Sequence, residues 1–500
     1  MFKEYLEEKD LLWMLSPPVY RKILPKNAIN VYFAVRDALD NKDKIYVHPD
    51  PDVDGFMSAK CWQYAFKRLN YDNYSIGKLK NRKHKVKWSS IEEQINNGVK
   101  LIIIVDSSSN DMDLINRICA NDIKLVIIDH HNCDNDFSQY PENCILVNPK
   151  LENENLPMHC VSAGVLNALI ADYVLYRYGI KDTEELEYYG YVTMYSDVCE
   201  PDNPYVASFM RRRFLDNKNV PDFLKFFWDD YSSMTRRFIS FKVCPLINAT
   251  IRMGDFGLIH RLFYEMEKMD VDERLSTMEA MINYKKKSEL IVNELMEVGK
   301  VLNSTELVTC ILPPDLEDYK YNFLGYLASK YAKEYDKAAV CIYLDNDTDC
   351  YVGSARDSKN RDLLSEFSAF FEGSEGHDSA FGVVIDKRKL NQLPDIIMNA
   401  NIETKEQEVV FDYLSLVSNK EVSNMALYNE LANGGLPKAK IKIKLTSDFA
   451  ISGSVKRMVA KTKSLSVVSF STPLMSNSTV LCVPEFNGTN VECIVEKAIV

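Results

Sequence analysis

Three apolar runs of the chain end in acidic or histidine side chains, and the first of these ends is the densest. Four residues of metal-binding type lie within seven positions: His48, Asp50, Asp52 and Asp54. Clustered carboxylates repel and raise one another's pKa values, and a bound divalent cation removes that penalty. Carboxylate oxygens mixed with imidazole suit Mn²⁺ or Mg²⁺ better than a thiolate-bound structural zinc. The segment therefore predicts a site for hard divalent cations, although an acidic Pro/Gly turn is the alternative if it stands alone.

Further candidate ligands follow two later apolar runs and one uncharged stretch. They are Asp106, Asp129, His130, His131 and Asp197. A lone Asp106 or Asp197 is more often a capping or solvated carboxylate, but a His-His pair after an apolar strand has no evident structural role. Taken together, these ends indicate two cations sharing one crevice, with a phosphate as the anion expected beside them.

The elements that must position these ligands are strands that alternate with helices. The apolar runs are 44–50, 101–106 and 124–131, and helical spacing follows in 56–69 and 113–120. Such alternation is typical of a parallel sheet covered on both faces, where ligands bind beyond the carboxyl ends of the strands. We expect a tight turn at Gly55 and a helix from Phe56 whose N-terminal amides can face an anion.

Length and composition fit a multidomain globular protein. The 500 residues are 46% hydrophobic and 26% charged, which excludes a mostly disordered chain and fits two to four domains of roughly 100–200 residues. We expect an α/β parallel-sheet domain over 1–215, a helical connector over 216–300, a smaller α/β domain over 301–395 and a basic β-rich domain over 396–500. No apolar run approaches the ~20 residues of a membrane span, no signal peptide is recognised, and twelve Cys without a CxxC pair are typical of reduced thiols. A soluble, cytoplasmic protein is expected.

Two basic segments qualify the net charge of −12, which by itself argues against a nucleic-acid partner. Residues 78–87 carry six Lys or Arg and precede Trp88, which favours binding of single-stranded nucleic acid over a merely solvated loop. Residues 438–500 carry nine Lys or Arg against four Asp or Glu. Alternating lysines there share one strand face, as a nucleic-acid surface or as protection of an edge strand against aggregation. These lysines are Lys438, Lys440, Lys442 and Lys444.

The acidic and histidine segments together resemble the successive motifs of the DHH phosphoesterase superfamily, named after the Asp129-His130-His131 type of triplet. Further segments resemble the RecJ branch of single-strand-specific 5′ exonucleases, including its C-terminal DHH-associated domain. They are VNPK (147–150), SAGV (162–165), PLINATIRMGD (245–255), GSAR (353–356) and EGHDSAFG (375–382). The resemblance covers residues 44–386 and assigns a DHH catalytic domain to 1–215 and a DHH-associated domain to 301–395. The chain departs from the RecJ pattern at Glu375, at Thr250-Ile251 and at 83–85, which affects the predicted shape of the substrate channel but not the metal ligands.

The resemblance implies a centre of two Mn²⁺ or Mg²⁺ ions. One ion would be held by His48, Asp52 and Asp106, and the other by Asp54, Asp106, His130 and Asp197, so that Asp106 bridges them. Asp129 would orient a ligating imidazole, and His131 would contact the scissile phosphate. Asp50 matches an acid in RecJ-like proteins but not in all DHH enzymes, and it ranks below the others.

The resemblance also implies substrate-binding residues. They are Arg82, Asn248, Arg252, Ser354, Arg356 and His377. Arg82, Arg252 and Ser354 match positions that hold a terminal phosphate. Arg356 and His377 would close over the substrate, where an arginine offers a bidentate fork to the phosphate.

The function implied is a two-metal phosphodiesterase that hydrolyses single-stranded DNA from the 5′ end, in DNA repair or recombination. A single-strand-binding, replication or repair protein is the expected class of protein partner. One alternative is a DHH enzyme for short oligonucleotides, cyclic dinucleotides or pyrophosphate, against which the basic segments argue. Another is a nucleic-acid-binding scaffold with a retired site, against which the full ligand set argues.

Overall fold

The structure is a computed structural model that describes most of the chain. Outside the description lie residues 1, 17–21, 83–85, 134, 152–157, 202, 215–217, 229–232, 347, 360, 365–369, 378, 400–407, 414–418, 433–435, 455–456, 463–464, 471, 488 and 500, and the side chains of 375, 377, 396 and 399. Two compact units are present. The first comprises Met1–Gly77, Lys83–Cys244 and Glu408–Val500, and the second comprises Lys78–Arg82 and Pro245–Gln407. The finer division into four domains stays a prediction.

The first unit contains the parallel sheet that the apolar runs predict. Its strands are β1 (Lys44–His48), β2 (Tyr74–Ile76), β3 (Val99–Val105), β4 (Lys124–Ile128) and β5 (Cys144–Val147). They lie in the order β2-β1-β3-β4-β5, and every pairing is parallel. Nearly all residues of β3 and β4 are buried, as expected for strands covered on both faces. Because β1, β3 and β4 are neighbours, the polar segments that follow them meet at one edge of the sheet.

Helices connect and flank these strands. They are α1 (Phe2–Glu8), α2 (Ala28–Asp40), α3 (Val53–Arg68), α4 (Trp88–Asn96), α5 (Met112–Cys119), α6 (Ala163–Arg177), α7 (Glu184–Ser196), α8 (Pro204–Arg213), α9 (Asp222–Lys225) and α10 (Arg236–Phe238), followed by a π-helical turn over Ile239–Val243. The predicted start of α3 was wrong by three residues, because Asp52 caps the helix and Gly55 lies inside its first turn. A Cβ at Gly55 would lie 2.5 Å from the backbone of Asp50, so glycine is needed there for close packing rather than for a turn.

The second unit is a smaller α/β layer. Its helices are α11 (Cys244–Arg252), α12 (Phe256–Tyr264), α13 (Val271–Val298), α14 (Leu324–Tyr335) and α15 (Leu393–Asn399). Its strands are β6 (Lys300–Asn303), β7 (Leu307–Leu312), β8 (Ala338–Asp345), β9 (Cys350–Asp357), β10 (Gly373–His377) and β11 (Ala380–Asp386), in the order β10-β11-β9-β8-β7-β6. Only the pair β7 and β8 is parallel among these described strands.

The C-terminal part of the first unit is β-rich, as predicted, with one helix that the prediction omitted. Its elements are β12 (Glu408–Asp412), α16 (Asn419–Leu431), β13 (Lys438–Lys444), β14 (Ala450–Ser454), β15 (Arg457–Lys461), β16 (Ser466–Ser469), β17 (Thr479–Asn487) and β18 (Asn490–Ile499). β14, β15 and β16 form an antiparallel meander, β17 and β18 a hairpin, and β16 pairs in parallel with β18. Since β13 pairs with β17, the described strands lie in the order β12-β13-β17-β18-β16-β15-β14, and the pairings among β13 to β18 resemble the strand connectivity of OB folds.

Across the part of the chain that the structure describes, every helix is too short or too polar to traverse a lipid bilayer.

Candidate active site

The carboxyl end of β1 and the first turn of α3 carry the densest group of predicted ligands. His48 is the last residue of β1, and Asp52 caps α3 by accepting a 3.0 Å hydrogen bond from the Gly55 amide. Burial lowers the pKa of His48 to about 4, so its imidazole is neutral and able to bind a cation near neutral pH. Its Nδ1 lies 3.0 Å from the Tyr46 hydroxyl, and this contact leaves Nε2 as the ring nitrogen available to a ligand.

Asp54 is held in place by the N-terminus of a helix that is distant in sequence. Its Oδ2 accepts a 2.9 Å hydrogen bond from the Ala163 amide, and its Oδ1 accepts a 2.7 Å bond from the Gly164 amide. A Cβ at Gly164 would lie 2.9 Å from Asp54 Oδ1, so the residue type permits this approach. Burial, and then the neighbouring Asp197, raises the pKa of Asp54 well above its usual range. The amides at the start of α6 therefore orient the carboxylate, while the charge that it shares with its neighbours still favours a cation.

Asp106, His130 and Asp197 converge although they follow three different elements. His130 Nε2 lies 3.4 Å from Asp106 Oδ1, 3.3 Å from Asp197 Oδ2 and 3.9 Å from Asp54 Oδ2. Burial, followed by the charges of Asp54 and Asp52, raises the pKa of Asp106 well above its usual range. Asp106 Oδ1 is buried and accepts no hydrogen bond from the residues that the structure describes. A buried carboxylate oxygen that accepts no hydrogen bond from these residues fits a bound cation. The donor set therefore suits the divalent ions that the sequence predicts.

Asp106 also approaches the acids that follow β1. One oxygen each of Asp50, Asp52 and Asp106 lie within 4.8 Å of one another, and a second group of this size joins Asp106 with His130 and His131. Asp106 thus belongs to two clusters, as a bridging ligand must, and Asp50 lies closer to this centre than its low predicted rank suggested. His48 is absent from the ligand clusters found among the described residues.

The backbone at this centre has positive φ values after β3 and after α7. They are +64° at Asp106, +75° at Ser108 and +54° at Val198, which follows Asp197. For a β-branched residue such as Val198 the left-handed region is unfavourable, and strain of this kind persists where the surrounding structure imposes it. The predicted ligand Asp106 thus has an unusual backbone conformation itself, and the predicted ligand Asp197 precedes a residue that has one.

Asp129 contacts the imidazole of His131. Its Oδ1 lies 2.8 Å from Nδ1 of His131. Although burial alone would lower it, the Asp129 carboxylate raises the pKa of His131 to about 10, and the pKa of Asp129 falls well below its usual range. The contact favours a cationic His131, which suits contact with a phosphate. That Asp129 orients a ligating imidazole stays a prediction.

The triplet has further supports that the sequence did not reveal. Asp129 accepts hydrogen bonds from the amides of His130 and Ser109, at 2.8 and 3.2 Å. Asn148, in the VNPK segment, donates to the carbonyl of His131 at 2.9 Å and to the Ser109 hydroxyl at 3.2 Å. The loops after β3, β4 and β5 are thereby tied together. Motif resemblance marked Asn148 as part of a matching segment without giving it a role.

The second unit gathers three of the predicted substrate-binding arginines. Arg82 donates from Nη1 to the carbonyl of Asn322 at 2.7 Å, and Asn322 donates to the carbonyl of Arg252 at 3.1 Å. Burial, and then the charges of Arg82 and Arg356, lowers the pKa of Arg252 to about 9. Burial and Arg82 lower the pKa of Arg356 to about 10. Arg252 Nε is buried with no hydrogen-bond partner among the described residues, so this arginine cluster fits an anion such as phosphate.

The remaining predicted substrate contacts lie on the same unit. Ser354 precedes Arg356 by two residues on β9, so both side chains share a strand face. A Cβ at Gly325 would lie 2.7 Å from Arg356 Nη2, and Gly325 was not predicted to matter. Asn248 lies one helical turn before Arg252 on α11 and is half-buried. His377 ends β10, and its side chain lies outside the described residues.

The basic segments are less available than predicted. β13 lies between β12 and β17, so its lysines do not protect an edge strand. Lys440 is nearly buried and forms ion pairs with Glu408 and Glu496. Lys438 is half-buried, and burial followed by the charge of Arg236 lowers its pKa. Only the last two lysines of β13, Lys442 and Lys444, are exposed.

The other basic segment, 78–87, precedes Trp88, and the surroundings of Trp88 bear on the predicted stacking of bases. Residues 83–85 lie outside the description. Trp88 begins α4, and the Arg117 guanidinium lies 4.1 Å from the centroid of its ring. One face of Trp88 is therefore covered by the protein, which does not favour the stacking on bases that the sequence suggested.

Comparison with known protein families identifies one domain of the chain. Residues 44–192 match the DHH family, N-terminal domain. The chain therefore carries a DHH-family domain, and the predicted superfamily is confirmed.

Two relatives of the chain are named as single-strand DNA-specific exonucleases, and a RecJ structure shares its fold. The chain is 24% identical over 416 residues to YorK of Bacillus subtilis (strain 168). YorK is provisionally named an SPbeta prophage-derived single-strand DNA-specific exonuclease. The matched region covers 75% of this chain and 69% of YorK. It is 21% identical over 419 residues to the single-stranded-DNA-specific exonuclease RecJ of Bacillus subtilis (strain 168), covering 80% of this chain and 52% of RecJ. The crystal structure of RecJ with Mn²⁺ from Thermus thermophilus superposes with a TM-score of 0.72 at 15% identity, over 99% of this chain and 75% of that one. At this identity the likeness establishes the fold.

Proposed function

We propose that this protein is a metal-dependent phosphodiesterase that degrades single-stranded DNA from the 5′ end, using two Mn²⁺ or Mg²⁺ ions. The observation that carries the proposal is the meeting of His130 Nε2 with Asp106 and Asp197 at 3.4 and 3.3 Å, in a buried site where Asp106 Oδ1 accepts no hydrogen bond from a described residue. The single-strand exonuclease names of the relatives support the substrate class.

The resemblance to the DHH superfamily assigns the metal ligands in this proposal. His48, Asp52 and Asp106 would hold one ion, and Asp54, His130 and Asp197 would complete the second site together with Asp106. When bound, the ions supply a water of lowered pKa and stabilise the attacking and leaving oxygens of an in-line displacement. The amides of α6 keep Asp54 in one orientation, and Tyr46 fixes the ring of His48.

His131 acts on the substrate rather than on the ions. Asp129 holds its ring in one orientation and keeps it protonated near neutral pH. A protonated imidazole donates a charge-assisted hydrogen bond to a phosphate oxygen and offsets the charge that develops there.

The arginine cluster of the second unit, Arg82, Arg252 and Arg356, binds the terminal phosphate of the strand in this proposal. The lowered pKa values of Arg252 and Arg356, caused by burial and by neighbouring guanidinium groups, support an anion as the ligand, and three guanidinium groups offer bidentate contacts to a phosphate monoester. The OB-type connectivity of the C-terminal strands is common in domains that bind single strands, which supports the proposal by analogy of fold alone.

The test is an end-labelled nuclease assay with Mn²⁺. We expect single strands labelled at the 5′ end to release labelled nucleotide at once, and strands labelled at the 3′ end to release it only after the chain has been shortened. Asp113→Asn, an exposed change on α5, is the matched control for Asp106→Asn. A folded protein that releases no nucleotide from either strand would contradict the proposal.

Hydrolysis of short oligonucleotides is the second candidate. It is favoured by the state of β13, where Lys440 is neutralised by Glu408 and Glu496, because the surface for a long strand is less basic than the sequence indicates. A length series from two to thirty nucleotides separates the two candidates. A strong preference for two to four nucleotides would establish the second.

The setting of the reaction is also part of the proposal. The twelve cysteines are present as thiols rather than disulfides, which fits the reducing cytoplasm. By analogy with the named relatives, the reaction belongs to DNA repair or recombination, with a single-strand-binding or repair protein as partner.

A further inference from the structure

Cys199 lies beside the metal centre, although it belongs to no recognised ligand set. Its Sγ is 3.4 Å from Asp197 Oδ2, to which the thiol donates a hydrogen bond. The sulfur of Cys199, a ring nitrogen of His130 and an oxygen of Asp197 all lie within 4.8 Å of one another. Cys199 is 8% exposed, so the thiol faces the centre rather than open solvent.

These three donors differ in kind from the rest of the centre. Elsewhere the donors are carboxylate oxygens and imidazoles, which suit hard cations. Here nitrogen, oxygen and sulfur meet, and three protein ligands of this mixed type are characteristic of zinc and other thiophilic ions. A hard cation at Asp197 leaves the thiol as a hydrogen-bond donor, whereas a soft cation gains a sulfur ligand in the same place.

A buried cysteine alone is usually a small apolar side chain. A second observation points to a cation here. Asp106 Oδ1 is buried and accepts no hydrogen bond from the described residues. It lies 3.4 Å from His130 Nε2, and His130 also belongs to the group of donors that contains Cys199. The group that Cys199 joins is therefore already arranged for a positive ion.

We propose that Cys199, His130 and Asp197 form a capture site for thiophilic divalent cations such as Zn²⁺ and Cd²⁺, which overlaps the hard-cation centre and inhibits the enzyme when filled. On capture the S–H bond of Cys199 breaks, a sulfur–metal bond forms and the proton leaves to the buffer, with no change of oxidation state. The inference rests on the metal centre of the proposed function but not on the identity of the substrate.

The direct test is a Cd²⁺ titration of the full chain, followed by the ultraviolet thiolate-to-cadmium charge-transfer band. The variants are Cys199→Val and Cys199→Ser, and the control is Cys350→Val, a half-buried thiol on β9 of the second unit. We expect both Cys199 variants to lose the tightest-binding component of the band and the control to keep it. Mn²⁺ binding, measured by electron paramagnetic resonance on the same samples, verifies that each variant is folded.

Inhibition provides the second readout. In Mn²⁺-supported hydrolysis, the Cd²⁺ concentration for half-inhibition should rise at least about tenfold in both Cys199 variants, as expected for the loss of one ligand. A cadmium band that is unchanged in both Cys199 variants would overturn the capture site, and unchanged inhibition with an altered band would overturn its inhibitory role.

Different results would overturn the hard-cation centre and the capture site. Wild-type protein that binds no Mn²⁺ would overturn the hard-cation centre, even if the cadmium band depends on Cys199. Wild-type protein that binds Mn²⁺ but shows a cadmium band independent of Cys199 would overturn the capture site alone.

Discussion

The metal centre of the first unit is acidic and the arginine cluster of the second is basic. In both, burial and repulsion between like charges shift the pKa values. At the centre, burial and neighbouring acids raise the pKa of Asp54 and Asp106. In the cluster, burial and neighbouring guanidinium groups lower the pKa of Arg252 and Arg356. Each site concentrates one sign of charge away from water, which destabilises the empty fold. The direction of the pKa shift thus indicates which charge would relieve the repulsion at each site: positive at the metal centre and negative at the arginine cluster.

The two sites differ in how firmly the fold holds them. At the centre, amides of α6 bind Asp54, and Asp129 ties the loops that carry His130 and His131. In the cluster, the described hydrogen bonds run to the backbone carbonyls of Asn322, Arg252 and Ala355. Directed ligation of small ions requires fixed donors, whereas guanidinium forks can adjust to a larger anion.

Removal of the Asp106 carboxylate, which is proposed to bind both ions, should have the largest effect on the rate of hydrolysis. We expect Asp106→Asn to lower Mn²⁺-dependent hydrolysis by about three orders of magnitude or more, because both ions lose a ligand. Arg82→Ala should lose clearly less, since it affects placement of the strand. Initial rates with Asp113→Asn as control measure this, and equal losses for Asp106→Asn and Arg82→Ala would contradict the bridging role.

Removal of a guanidinium should change substrate choice rather than chemistry. We expect Arg356→Met to reduce the preference for 5′-phosphorylated over 5′-hydroxyl strands about 10- to 100-fold, because a bidentate charged contact is lost. Arg388→Met, at an exposed position of the same unit, is the control. A preference that survives in Arg356→Met would remove the terminal phosphate from the arginine cluster.

Relief of repulsion should stabilise the ligand-free protein. Arg252→Met places an apolar side chain of similar length in a buried site, and we expect the free energy of unfolding to rise by about 1–2 kcal/mol without ligand. Inorganic phosphate should stabilise the wild type but not the variant. Denaturant unfolding with and without phosphate measures both effects, and a destabilised variant would show that Arg252 has a favourable partner.

Glu430, a buried acid outside the two sites, should give the smallest effect. Glu430 of α16 accepts a hydrogen bond from the Arg236 amide, and burial raises its pKa from an ordinary 4.5 to about 8. Between these values the folded state holds a proton that the unfolded state has released, so stability falls as pH rises through this window. Glu430→Gln should flatten this dependence. Melting temperatures across the window provide the measurement, and parallel curves for the two proteins would refute it.

Much of the fold could be predicted because apolar runs decide it locally. β1, β3 and β4 form where continuous Ile, Leu and Val must be buried on both faces, and their polar ends necessarily share one edge of a parallel sheet. The start of α3 could not be placed as well, because its cap at Asp52 belongs to the acidic cluster and was considered only as a ligand. Helix boundaries depend on such single capping contacts.

The contacts that could not be predicted join positions far apart in the chain. Lys440 was predicted to be available to nucleic acid, but Glu408 and Glu496 on other strands neutralise it. The contact between Asp129 and the ring of His131 depends on side-chain direction after β4, which adjacent residues in a sequence do not reveal.

The sequence by itself determined which residues could bind cations, the sheet that carries them and the superfamily, because these follow from residue type, hydrophobic pattern and motif spacing. Only the tertiary structure decided how they are held: Asp54 by α6, Arg252 between Arg82 and Arg356, and Cys199 against Asp197. The physical reason is that orientation, burial and mutual repulsion are properties of groups in space, and they exist only once distant segments have packed together.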